Sequence, residues 1–355
     1  MDGLPSYLEP FADLYKRDPR AAMLAWFAQT RCGLQVHYGL YSLLGRREDV
    51  QYRDRIPVLR YERLKRHFSA EAFDAEAIAD LACEMGASYI NFVTRHRDGF
   101  CLWETSQTDF HSVNSPANRD LVAEIAAACR ARGLGLFLFY EHGVDWRHPH
   151  GPAPWQFGDP LVRPAYDPSE VWYATRRTQD FSKYLRHVRM QIVELLSDYG
   201  PLAGLWFDGA SVLHSGDPSC FRLNELYETI RALQPQCLIA YNWGVTGTED
   251  FYAREEMQVR RLSAVGGKPL EVRFSLQTDG WGYVRGARHL RADELMERIA
   301  WAGAQGANVL LNIGLRGDGS IHPLDEETLR EIGRRVRVQG WPIDDTRRGV
   351  RYRRT

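Results

Sequence analysis

The chain has 355 residues, 44% hydrophobic and 26% charged, which is ample material for a packed soluble core. Lysine and arginine total 45 against 46 aspartates and glutamates; a net charge of −1 provides no footprint for nucleic acid or an anionic membrane. The chain does not open with a basic segment and apolar core, and no apolar run approaches the roughly 20 residues of a bilayer span.

Residues 1–30 read as a helical lead-in. The apolar stretch 33–39 (GLQVHYG) is the first expected strand, followed by a helix in 69–86 with Ser69 as its cap and Gly86 as its stop. Further strands are expected at 87–94, 133–140, 202–208, 237–242, 272–277 and 307–313, with a weak eighth near RVRVQG at the chain's end. Between them the 3.6-residue period predicts helices over RDLVAEIAAACRARG, over 170–199 and over LRADELMERIAWAGAQG. The Pro-rich stretch HPHGPAPWQFGDPLVRP reads as a long loop, and the basic end 341–355 as a solvated tail. About eight strand–helix units predict a single α/β domain over 31–340, a (β/α)8 TIM-like barrel. A doubly wound sheet would carry a glycine-rich phosphate turn after its first strand, and VHYGLYS is not one.

In such a barrel the carboxyl ends of the strands converge on one face. Those ends carry His37, His96, Tyr140 with Glu141 and His142, Asp208, Asn242, Gln277 and Asn312, a polar set suited to a hydroxyl-rich ligand. Tryptophans Trp103, Trp146, Trp206, Trp243 and Trp281 lie near the same ends, and an aromatic face packs well on sugar C–H groups. Asp208, closing the apolar run GLWFDG, is the sharpest residue, because a carboxylate against a low-dielectric wall can attack or steady a developing cation. His142, Asp145, His148 and His150 lie in a Pro/Gly loop rather than on one helix face, so a hydrogen-bonded loop is expected there and no metal or other cofactor. The six cysteines form no C-x-x-C pair, and a reducing cytoplasm is the expected compartment.

Several long motifs in one order resemble the catalytic barrel of the retaining α-L-fucosidases of glycoside hydrolase family 29. They are RCGLQVHYGLYSLLGRRE, TRHRDGFCLWETSQTDFHSVNSPANRDLV, LFYEHGVDWRHP, GLWFDG, PLEVRFSLQTDGWGY and GANVLLNIGLRGDGSIHP, spanning roughly residues 31 to 324. The resemblance implies an exo-acting retaining glycosidase with Asp208 as nucleophile and a second carboxylate about 5–5.5 Å away as acid/base. TEDFYAREEM is similar to the family's acid/base segment and puts Glu255 there; Glu256, Glu271 and Glu141 follow as candidates, in that order. His37, Glu48 and His96 match residues that hold sugar hydroxyls, and Trp206 and Trp281 match aromatics near the sugar.

Four positions depart from the family pattern. His96-Arg97 stands for a His-His pair, Glu48-Asp49 for Glu-Trp, His37-Tyr38 for His-Trp, and Pro269-Leu270-Glu271 for Pro-Trp-Glu. Asp49 and Arg97 are expected to have changed together and to pair in a rebuilt sugar subsite. Two alternatives are that Arg97 reads an anionic substituent or turns to solvent. A chain ending at 355 is not expected to carry the β-sandwich that commonly follows this barrel. The expected ligand is a small glycoside or an oligosaccharide, with no nucleic acid or membrane partner and a homo-oligomer left open. Two other readings stand beside the fucosidase: the same chemistry on a different fucose-related sugar, and a carbohydrate-binding relative without catalysis.

Overall fold

Strands and helices alternate along this computed structural model, which describes residues 4–157, 162–164, 166, 171–209, 212, 215, 217–255 and 267–342. The strands are β1 Cys32–His37, β2 Tyr89–Arg95, β3 Gly135–Glu141, β4 Gly204–Asp208, β5 Leu238–Tyr241, β6 Tyr252–Glu255, β7 Leu270–Ser275 and β8 Ala307–Gly314. All pair in parallel, in the order β5-β4-β3-β2-β1-β8-β7-β6. The Asn242–Ala253 bridge spans the remaining gap between β5 and β6, so the sheet is a nearly closed (β/α)8 barrel.

Parity along the strands decides what faces the barrel axis. Tyr89, Val93, Phe137, Phe139, Trp206, Leu238, Ala240, Ala253 and Leu310 form one buried cluster inside the ring. Their neighbours Ile90, Phe92, Leu136, Leu138, Tyr140, Leu205 and Phe207 belong to a second cluster shared with the helices. A one-residue error therefore sends a side chain to the opposite face. The small residues follow the same rule: a Cβ at Gly204 would lie 2.2 Å from the Phe137 ring and 2.6 Å from the Leu238 carbonyl.

The chain enters through α1 Ala12–Arg17 and α2 Pro19–Gln29. From α2, Met23, Trp26 and Phe27 join the cluster inside the ring, and Asn308 at the start of β8 donates to the Phe27 carbonyl at 2.8 Å. The lead-in thus plugs the end of the barrel opposite the strands' carboxyl ends. The outer layer is α3 Ala75–Glu84, α4 Leu121–Arg132, α5 Phe181–Asp198, α6 Leu223–Leu233, α7 Ala292–Ala304 and α8 Pro323–Gln339. Asp74, Asp120 and Asp180 cap α3, α4 and α5 by accepting a backbone N–H in the first turn. Gly133 closes α4 in the left-handed conformation at φ +67°, where a side chain would be strained.

The structure corrects four of the sequence expectations. RVRVQG is the last turn of α8, not a strand. The true missing strand is β6, inside a segment read as a carboxyl-rich loop. The cap of α3 is Asp74 rather than Ser69, and the helix expected over 170–199 begins at Phe181. Among the described residues there is no β-sandwich, and no helix is long and apolar enough to cross a membrane. Apart from Trp341 and Pro342, the basic tail lies outside them.

Candidate active site

Asp208 ends β4 at the mouth, in register with Glu141 at the end of β3. Its Oδ1 accepts from the Gly209 N–H at 2.7 Å and from Asn242 Nδ2 at 3.3 Å. Its backbone carbonyl accepts from the N–H groups of His142 (2.8 Å) and Gly143 (3.1 Å) and from the Tyr241 hydroxyl at 3.3 Å. Gly209 explains the final letter of GLWFDG. At φ +150°, its Cβ would lie 2.4 Å from the backbone of Gly143, so the two loops meet backbone to backbone.

His37 and His96 lie side by side at the ends of the adjacent strands β1 and β2, with ring centroids 5.6 Å apart. His37 Nδ1 bonds the Asn312 side chain, which also donates to the Trp281 carbonyl at 2.8 Å. Burial pushes the His37 imidazole down to about 3 despite the Asn312 bond, and burial with His37 and Arg97 nearby pushes His96 well below the usual histidine range. Neutral imidazoles each offer one donor and one acceptor, which suits hydroxyl groups. Glu48 uses Oε2 to accept from the N–H groups of Trp281 (2.9 Å) and Gly282 (3.0 Å), so it also fixes the loop that presents Trp281. Trp281 stacks beside His37 with an interplanar angle of 28°.

Arg273, which the sequence reading did not single out, links both halves of the site. Its guanidinium lies over the Trp206 ring at 4.2 Å and the Trp281 ring at 4.4 Å, and pairs with Glu255 at 2.8 Å. Period-two alternation along β7 would have placed it inside with Glu271 and opposite Phe274. Phe139 was missed for the same reason: it stacks on His96 (8°) and on Trp206 (21°), forming the floor of the mouth.

Arg95 anchors the loop that follows β3, donating to the Glu141 carbonyl at 2.7 Å and pairing with the buried Asp145. Asp145 also accepts from the N–H groups of Arg147 and His148, both at 2.8 Å, and His148 Nδ1 accepts from the His150 N–H at 3.2 Å. These side chains hold the loop's shape. No three His, Cys, Asp or Glu side chains converge as a metal site among the described residues.

The mouth is therefore a histidine- and carboxylate-lined hollow over aromatic side chains, with one carboxylate braced at the end of β4. A family model described as Alpha-L-fucosidase matches residues 9–341. The chain belongs to the α-L-fucosidase family. It is a glycoside hydrolase by that membership. It is 26% identical to the plasma α-L-fucosidase of Rattus norvegicus over 357 residues, covering 92% of this chain and 72% of the relative. Among solved structures, α-L-fucosidase isoenzyme 1 of Paenibacillus thiaminolyticus superposes with a TM-score of 0.77 at 31% identity, over 91% of this chain and 77% of that one. An α-L-fucosidase of Lactobacillus casei, solved with α-L-fucose product, gives 0.77 at 27% identity, over 88% and 97%.

The α-L-fucosidase pattern does not carry over at every position. Tyr140 is not in the mouth: it points out to the helix layer, where its hydroxyl donates to Gln191 at 2.6 Å. Trp206 is 1% exposed, with Phe139 and Arg273 on its faces and its Nε1 donating to Glu271 at 2.9 Å; it supports the floor and offers no free ring face. Glu271 lies deeper than Arg273, with one oxygen held by Trp206 and the other by the Tyr89 hydroxyl, so it does not reach the mouth. Glu256 lies outside the described residues. Asp49 does not pair with Arg97. It bonds Arg47 and Arg53, both at 2.8 Å, whereas Arg97 turns inward and pairs with Glu141 at 3.2 Å. Glu141 ends β3 on the inward face, so it is the carboxylate that β3 directs at Arg97.

Proposed function

We propose that the protein is an exo-acting retaining α-L-fucosidase, with Asp208 as nucleophile and Glu255 as acid/base. The observation that carries this reading is the bracing of Asp208: its carboxylate and its carbonyl are both hydrogen-bonded at the mouth, among groups fit to hold a sugar. In the first half-reaction Asp208 attacks the anomeric carbon as the bond to the leaving oxygen breaks, and Glu255 gives that oxygen its proton. In the second, Glu255 takes a proton from water, the water oxygen attacks the same carbon, and the ester to Asp208 is released. Arg273 fixes the direction of Glu255, and the fucosides bound by relatives support the choice of sugar. All six cysteines are free, which supports a cytoplasmic setting.

Asp208→Ala is expected to abolish turnover of an aryl α-L-fucoside while the melting transition survives. Undiminished turnover would remove Asp208 as nucleophile. Glu255→Gln is expected to lose far more rate on a fucosyl oligosaccharide, whose leaving oxygen needs a proton, than on 4-nitrophenyl α-L-fucoside. Equal losses on the two would assign the proton transfer to another group. The Arg97–Glu141 pair favours a second reading, the same chemistry on a sugar related to fucose by its hydroxyl pattern; rates across a panel of aryl glycosides decide between them.

A further inference from the structure

Glu141 is fully buried, and only one of its carboxylate oxygens is engaged in the protein. Oε2 takes the Arg97 Nε–H at 3.2 Å; Oε1 is buried with no hydrogen-bond partner. A buried acceptor without a donor is costly, and more so when charged, so the arrangement points to a ligand group that supplies the donor. Two further polar atoms at the mouth are buried without partners, His96 Nδ1 and Asn242 Oδ1. All three belong to strand ends next to, or one removed from, Asp208. Arg97 keeps 21% of its side chain exposed toward the mouth while its Nε is held by Glu141.

We propose that the Arg97–Glu141 pair binds the 2-hydroxyl group of the sugar, next to the carbon that Asp208 attacks. Glu141 Oε1 accepts the hydroxyl proton and the Arg97 guanidinium donates to the hydroxyl oxygen. This rests on the retaining-glycosidase reading of the site. Register puts Glu141 directly beside Asp208, so the pair meets a neighbour of the anomeric carbon. On one side that neighbour is the ring oxygen, followed by the carbon bearing the methyl of a 6-deoxy sugar. On the other it is the carbon bearing the 2-hydroxyl. A guanidinium beside the ring oxygen would oppose the positive charge that develops there, and neither charge suits a methyl group. A hydroxyl needs one acceptor and one donor: Glu141 Oε1 is the acceptor and the charged Arg97 guanidinium the donor. Hydrogen bonds to this hydroxyl strengthen as the transition state forms, so the pair belongs to the specificity and rate of the reaction rather than to ground-state binding alone.

The test compares kcat/KM on 4-nitrophenyl α-L-fucoside and on its 2-deoxy analogue for the wild type, Glu141→Gln and Arg97→Met. The ratio of parent to 2-deoxy rates is expected to fall about tenfold in Glu141→Gln, the scale of a lost hydrogen bond. It is expected to fall in Arg97→Met as well, which removes the donor and guards against a glutamine variant that does not fold. If both substrates slow by the same factor in every folded variant, the pair acts without the 2-hydroxyl and the proposal is overturned. A wild type inactive on both substrates would instead overturn the fucosidase reading, and this proposal with it.

Discussion

Burial pushes the Glu141 carboxyl up to about 8, above the ordinary 4.5, even with the Arg97 guanidinium beside it. Arg97, just past the end of β2, and Arg95 at that end act to lower the value, while Asp208 on β4 acts to raise it. The folded protein therefore holds this proton more tightly than the unfolded chain. The stability it contributes is complete below about pH 4.5 and is lost as the pH rises through about 8. Glu141→Gln has no such proton, so its melting temperature relative to the wild type is expected to rise between pH 5 and pH 9. Thermal melts of the two proteins across that range check it; a constant difference would mean Glu141 titrates normally. At this scale the sequence made Asp208, His37 and His96 legible, because each is the last polar residue of an apolar run. Tyr140 was misplaced because a polar letter at a strand end was counted without its parity. The partner of Arg97 was not legible, because Glu141 is 44 residues away in the chain and only the strand register joins them.

Most elements were readable from the chain where their burial is uniform. β1, β2, β3 and β8 are buried at every position and appear as continuous apolar runs. β6 is four residues long, mostly half-buried, and contains Arg254 and Glu255, so neither periodicity nor composition marks it. RVRVQG misled in the opposite direction: its alternation of basic and β-branched residues imitates a strand, yet it is the end of α8, where Val336 packs on the core and Val338 faces solvent. The same short strand makes a testable seam. β6 is fully paired with β7 on one edge and joined to β5 by an isolated bridge on the other. Its backbone amides are expected to exchange with deuterium before those of β1 and β2, which are paired on both sides. Equal protection in hydrogen-exchange mass spectrometry would mean that the barrel closes as firmly there as elsewhere.

Across the whole molecule the two ends of the barrel do different work. The lead-in helix α2 seals one end with Trp26 and Phe27, leaving the other for ligands. The sequence showed seven of the eight strands, enough to imply the barrel, but the plug was legible only as a helical stretch, because what it covers is set by packing against Tyr89, Phe137 and Phe251. The contact between Gly143 and Gly209 also marks how far the molecule can be redesigned. Residues 141–146 carry the backbone groups that hold the Asp208 carbonyl, so an insertion there would displace Asp208 itself. Beyond Gly151 the same long loop has no such attachment to Asp208 among the described residues. A new substrate preference could be grafted onto that outer portion while Asp208 keeps its place at the mouth.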